Sequence, residues 1–209
     1  MASFSQTLAA LLFTACAFTA PAAAQMPGPQ KEHQPLAAQV GTWDAKMEYT
    51  DFTTGKAATS KGTSIRKQPL GGMWLIDQFQ TTMMGMPFKG MGTTGYDPAK
   101  KKYVGTWIDS MTPSLMVLEG NYDKTGKILT MSGMGVGMDG KPAMHRMVTT
   151  EKDANTHVFE MFVAGPDGDI KVMTITYTRR IAKRDAVPAK RDTAKAQTAK
   201  TRAKANSGR

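Results

Sequence analysis

Four side chains of the kinds that converge in ligand pockets fall in segments that read as β-strands: Trp107 and Asp109 in "KYVGTWIDS", His157 in "THVFEMFV" and Tyr177 in "VMTITYTR". Successive strand residues point to opposite faces. Trp107 and Asp109 therefore share a face with Tyr103 and Gly105, His157 with Phe159, Met161 and Val163, and Tyr177 with Met173 and Ile175. An indole, a carboxylate, an imidazole and a phenol set into an otherwise apolar interior are the usual makings of a small-molecule site. The bland reading of the same residues is that His157 is a hydrogen-bonded core histidine and that Asp109 caps the turn before Pro113.

Methionine offers a second chemistry. The chain carries 17, several of them grouped in "MMGMPFKGM" and "MSGMGVGM" and around "MHRM". Thioethers beside an imidazole are the soft donors that bind Cu(I), so Met83, Met84, Met86, Met134, Met138, Met144 and His145 form an alternative metal set. Flexible methionines also fill irregular interiors and adaptable cavities. No reaction is specified: His33, His145 and His157 are the three histidines, and none stands in a spacing that fixes an acid–base pair, a nucleophilic triad or a metalloprotease site. An enzyme of unknown type remains a further alternative, with no catalytic residue and no cofactor assigned. The glycines of "MGMPFKGMGTTG" alternate with methionine in strands and turns and do not precede a helix, so they form no phosphate loop.

The elements that must carry these residues are β-strands. Alternating runs predict ten of them, at about 43–50, 58–68, 73–83, 88–96, 101–110, 114–122, 127–134, 143–152, 156–164 and 170–181, with one helical turn over 36–40. "DFTTGK", "YDPAKKK", "YDKTGK", "MDGKP" and "AGPDGD" supply the Asp, Pro and Gly of tight connections. Short connections make neighbours antiparallel, and ten such strands leave open edges unless the sheet closes on itself. The expected fold is all-β: a single antiparallel up-and-down β-barrel of about ten strands.

The triplet Gly-Thr-Trp occurs at 41–43 and again at 105–107, but the residues that follow do not match, so the chain is not a duplication. Gly41 and Trp43 at the start of the first strand, with Arg179 near the end of the last, resemble the closing signature of lipocalins and other calycin barrels. That resemblance implies that Trp43 plugs one barrel end and Arg179 packs on it. A longer resemblance spans nearly all of residues 34 to 181. Through "LGGMWL", "MGMPFKGMGTTGYDPAKKKYVGTWIDSM", "THVFEMF" and "GPDGDIKVMTITYTRR" the chain is similar to the domain-of-unknown-function family numbered 1579, a set of bacterial and often exported proteins. It implies a calycin-like barrel and transfers no activity, ligand or catalytic residue.

The two ends differ from the middle. Residues 1–24 contain no charged side chain and close on Ala22-x-Ala24 after an apolar run from Leu8 to Phe18, which reads as a signal peptide and places the mature protein in the periplasm or outside the cell. That run is too short to span a membrane, and no second apolar span follows. Cys16, the single cysteine, lies within it, so a chain cleaved after Ala24 has no disulfide. Residues 25–35 read as a linker and 36–181 as the barrel domain. Residues 182–209 hold nine Lys or Arg against two Asp, and thus seven of the ten net positive charges. Such a segment cannot bury a core and is expected to be disordered or partly helical, with anionic envelope surfaces as its natural partner. Nucleic acid is not expected in an exported chain whose basic residues are not interleaved with aromatics. The leading expectation for function is a barrel that holds a small apolar or amphipathic molecule.

Overall fold

The computed structural model describes residues 28–51, 54–137 and 139–181. The expected signal peptide with Cys16, the basic tail and Met138 lie outside the described residues. Among the described residues no helix is long and apolar enough to cross a membrane.

Ten antiparallel strands run up and down in chain order and close on themselves: β1 (Gly41–Thr50), β2 (Ala57–Lys67), β3 (Trp74–Met83), β4 (Met86–Asp97), β5 (Lys102–Asp109), β6 (Met116–Tyr122), β7 (Ile128–Val136), β8 (Pro142–Asp153), β9 (Thr156–Gly165) and β10 (Gly168–Arg179). Each strand end lies within two residues of its expected position. The seam is the pairing of β1 with β10, in register from Trp43 opposite Arg179 to Tyr49 opposite Met173. Closure leaves no unpaired edge, which is why so many short strands are stable in one sheet.

The hairpin between β3 and β4 shows how local chemistry sets the register. Met84 and Gly85 both take positive φ, 50° and 75°, as a two-residue turn matching the strand twist requires. Met83 then faces Met86 and starts the ladder. In β10 the register shifts between Lys171 and Met173, and Val172 at that bulge is buried.

One end of the barrel is covered. A 3-10 turn, Lys31–His33, runs straight into α1 (Gln34–Ala38), with Pro35 at the first turn where its missing N–H is harmless. The helical element therefore starts five residues ahead of the turn expected at 36 and takes in part of the segment expected to be linker. Leu36, fully buried, is its anchor and packs against Leu75, Tyr103, Leu118, Leu129 and Met131. The Tyr103 hydroxyl donates to the Glu32 carbonyl at 2.7 Å, and the phenol, desolvated there, has its pKa pushed up to about 12. A second cluster gathers around Met47, Phe79, Phe88 and Ile175, and Trp107 packs against both.

Candidate functional site

The inward positions do not fill the barrel. A cavity of 530 Å³ runs down its interior, opening at the end away from α1. Its walls are mostly apolar, with Met47, Phe79, Phe88, Leu118, Met161 and Ile175 contributing from six different strands. Polar groups gather toward its ends, with Arg66, Asp77, Gln39 and Tyr177 near the covered one and Asp109, Thr112, Ser114 and His145 near the open one, and Thr93, Thr94, Thr106 and Thr149 line it as well.

Trp107 lies flat along the cavity wall because β4 makes room for it. A Cβ on Gly90 would stand 2.2 Å from Trp107 Cζ2, and one on Gly92 would stand 3.1 Å from Cε3. The alternating glycines of "KGMGTTG" are thus a groove for one indole. Trp107 Nε1 donates to Asp109 Oδ2 at 3.0 Å, while Asp109 Oδ1 accepts from the amides of Met111 and Thr112 at 2.9 and 2.8 Å. Asp109 both caps the turn and orients the indole. Replacing Gly90 with alanine is expected to displace the ring, destabilising the barrel by about 1–3 kcal/mol through overpacking. Tryptophan emission and a urea midpoint report it, and an unchanged spectrum with unchanged stability would contradict the assignment.

The covered end holds a polar cluster that the sequence reading did not assemble. Arg66 of β2, 7% exposed, pairs with Asp77 of β3, its cross-strand partner, at 3.0 Å. Arg66 Nε also donates to Ser64 Oγ at 3.1 Å, and Ser64 Oγ donates to Asp77 Oδ1 at 2.6 Å. Nη1 reaches Gln39 Oε1 at 2.9 Å and His157 Nε2 at 2.7 Å. Gln39 Nε2 in turn donates to Glu151 Oε1 at 2.9 Å and to the Tyr122 hydroxyl at 3.3 Å. Burial raises the Glu151 carboxyl above the usual range. The guanidinium also lies over the Tyr177 ring, 4.6 Å from its centroid.

His157 belongs to this cluster and not to the cavity wall. It is fully buried, stacked on Tyr177 at 4.6 Å and edge-on to Trp43 at 4.5 Å. Because a guanidinium only donates, His157 Nε2 must accept, which fixes the neutral ring with its proton on Nδ1. That Nδ1 has no partner among the described residues. Burial, with Arg66 and Arg179 adding repulsion, drives the His157 pKa down to about 2. The four residues expected to converge are thus divided: Trp107 and Asp109 form one unit along the wall, His157 and Tyr177 another at the covered end, and Tyr177 alone of the second pair lines the cavity.

The closing contact lies just below. Arg179 stands 4.1 Å over the Trp43 ring, and its nitrogens donate to the carbonyls of Val40, Ala38 and Ala154 at 2.6, 2.6 and 3.1 Å. Gly41 is required there. Its φ is +144°, and a Cβ would come within 2.7 Å of Arg179 Nη1.

The methionine set does not come together. Met83, Met84 and His145 line the cavity, whereas Met86, Met134 and Met144 are 53%, 52% and 46% exposed. Met134 faces Met144 across β7 and β8, one residue from the inward-turned His145 and therefore on the opposite side of the sheet. His145 Nε2 is occupied by the Val136 carbonyl at 3.0 Å. Among the described residues no group of three or more His, Cys, Asp or Glu is placed to hold a metal ion.

No curated protein matches this chain in sequence. Among solved structures it is similar to Rv2717c from M. tuberculosis, at 13% identity and a TM-score of 0.52, covering 73% of this chain and 99% of that one. It is also similar to the S-type phycobiliprotein lyase CPES from Guillardia theta, at 10% identity and a TM-score of 0.50, covering 74% of this chain and 100% of that one. At such identities the likeness is one of fold. The family model described as "Protein of unknown function (DUF1579)" matches residues 28–179, which span the capping helix and all ten strands, and the chain belongs to that family.

Proposed function

We propose that this protein binds a small apolar or amphipathic molecule inside its barrel. The observation that carries the reading is the 530 Å³ cavity itself, which falls within the range of small-molecule sites and is walled by aliphatic, thioether and aromatic groups. A barrel whose only task was stability would be expected to fill its interior, since unfilled space forfeits dispersion contacts. The polar groups at the two ends of an apolar wall suit a ligand with an apolar body.

A solvatochromic naphthalene dye is the direct test. The protein is expected to bind one dye per chain with a blue-shifted emission, and Met161→Trp, which places an indole in the void, is expected to weaken binding at least tenfold while leaving the fold intact. Absence of any saturable binding by the wild-type chain would overturn the proposal. Saturable binding unaffected by Met161→Trp would place the dye elsewhere.

A further inference from the structure

We propose that the covered end of the cavity is a subsite for an uncharged polar end group that both donates and accepts hydrogen bonds, such as the terminal alcohol of an aliphatic chain. This rests on the cavity reading above and narrows the ligand class. Arg66 and Asp77 both line the cavity, and they already neutralise one another at 3.0 Å. The floor is polar without carrying net charge from this pair.

The hydrogen-bond inventory says what that floor has left to offer. Arg66 Nε is taken by Asp77 and Ser64 and Nη1 by Gln39 and His157, while Nη2 is engaged by none of them. The Tyr177 hydroxyl belongs to a buried side chain that lines the cavity, its ring lying under the Arg66 guanidinium. Its own proton is given to no acceptor among the described residues. Asp77 receives one bond on each oxygen, from Ser64 and from Arg66, and its side chain is still 20% exposed. An ionised carboxylate has about four acceptor positions, so roughly two remain. The floor therefore presents two kinds of donor, the Tyr177 hydroxyl and Arg66 Nη2, beside one carboxylate acceptor, Asp77.

An alcohol satisfies both, accepting from Tyr177 and donating to Asp77. A carboxylate end group would instead bring a second anion beside Asp77 in a site shielded from water, and an ammonium would meet Arg66 at close range. Either would also lose its hydration against a pair whose charges already offset one another, a larger penalty than burying a hydroxyl that finds its bonds.

The test uses the full chain at neutral pH and displacement of the cavity-bound naphthalene dye by decan-1-ol, decanoate, decylammonium and 1-methoxydecane. Decan-1-ol is expected to bind at least tenfold more tightly than the other three. Tyr177→Phe, which removes only the hydroxyl, is expected to cut decan-1-ol affinity about tenfold and to leave 1-methoxydecane within a factor of three. Asp77→Asn, which leaves the Arg66 charge unmatched, is expected to reverse the order in favour of decanoate. If Asp77→Asn fails to fold, Tyr177→Phe carries the test alone. Equal binding of decan-1-ol and decanoate by the wild type, or a decan-1-ol advantage untouched by Tyr177→Phe, overturns the subsite. A dye that binds but is displaced by none of the four does so too, while a dye that never binds overturns the cavity reading itself.

Discussion

Replacing Trp43 with alanine is expected to lower the unfolding free energy by about 3–5 kcal/mol, the range for removing a fully buried large aromatic side chain. Trp43 is 1% exposed, and three neighbours depend on it. The Gln39 carbonyl loses the Nε1 donor at 2.9 Å, Arg179 loses the ring beneath its guanidinium, and His157 loses one of the two rings that enclose it. The helix above is then held by Leu36, the Tyr103–Glu32 bond, the Gln39 side chain on Arg66 and Glu151, and the Arg179 bonds to the Ala38 and Val40 carbonyls. Trp43→Phe keeps most of the buried area and discards the N–H, so about 1–2 kcal/mol is expected for it. Urea unfolding of the two variants beside the wild type is the measurement. A loss below about 1 kcal/mol for the alanine variant would mean that Trp43 does not close the barrel.

That closing contact was legible in the sequence because it needs only a pattern: an inward tryptophan at one end of the first strand, an inward arginine at the end of the last, and a glycine where the two meet. The ten strands were legible for a similar reason. Alternation and turn residues are local, and short connections leave one closed solution. The polar floor was not legible. Arg66 lies in "TSKGTSIRK", where both faces carry polar or small residues, so parity gave no contrast there. Only the register of β2 on β3 puts Arg66 opposite Asp77.

His157 was placed inside correctly by parity, yet parity cannot say how far along the barrel a residue sits, and height separates it from Trp107 and Asp109. The methionine set is the opposite case. Met144 and His145 are adjacent in sequence, and in a strand adjacency guarantees opposite faces. The glycines of β4 carried a signal of their own, since Gly90 and Gly92 share a face with each other and leave a flat lane for a ring.

Acid is expected to destabilise the fold through His157 well before its carboxylates are titrated. The folded value is about 2 and the ordinary value 6.5. Between those two the unfolded chain binds a proton that the folded ring refuses. The stability is therefore fully present above pH 6.5 and drains away as pH falls, at a limit of about 1.4 kcal/mol per pH unit for one such group. Two units below the ordinary value that amounts to roughly 3 kcal/mol, a large share of the margin of a typical domain. His145, also lowered by burial, works in the same direction. Glu151 works against it. Its carboxyl is raised by burial, so the folded state takes up a proton first as pH falls and is stabilised by it. Thermal unfolding between pH 7.5 and 4.5 separates these contributions. His157→Gln keeps an acceptor for Arg66 but does not titrate. That variant is expected to be less stable than the wild type at pH 7.5 and to lose stability with a shallower slope, so that the two curves converge toward pH 4.5. Parallel curves would show that the acid sensitivity of the covered end does not originate in His157.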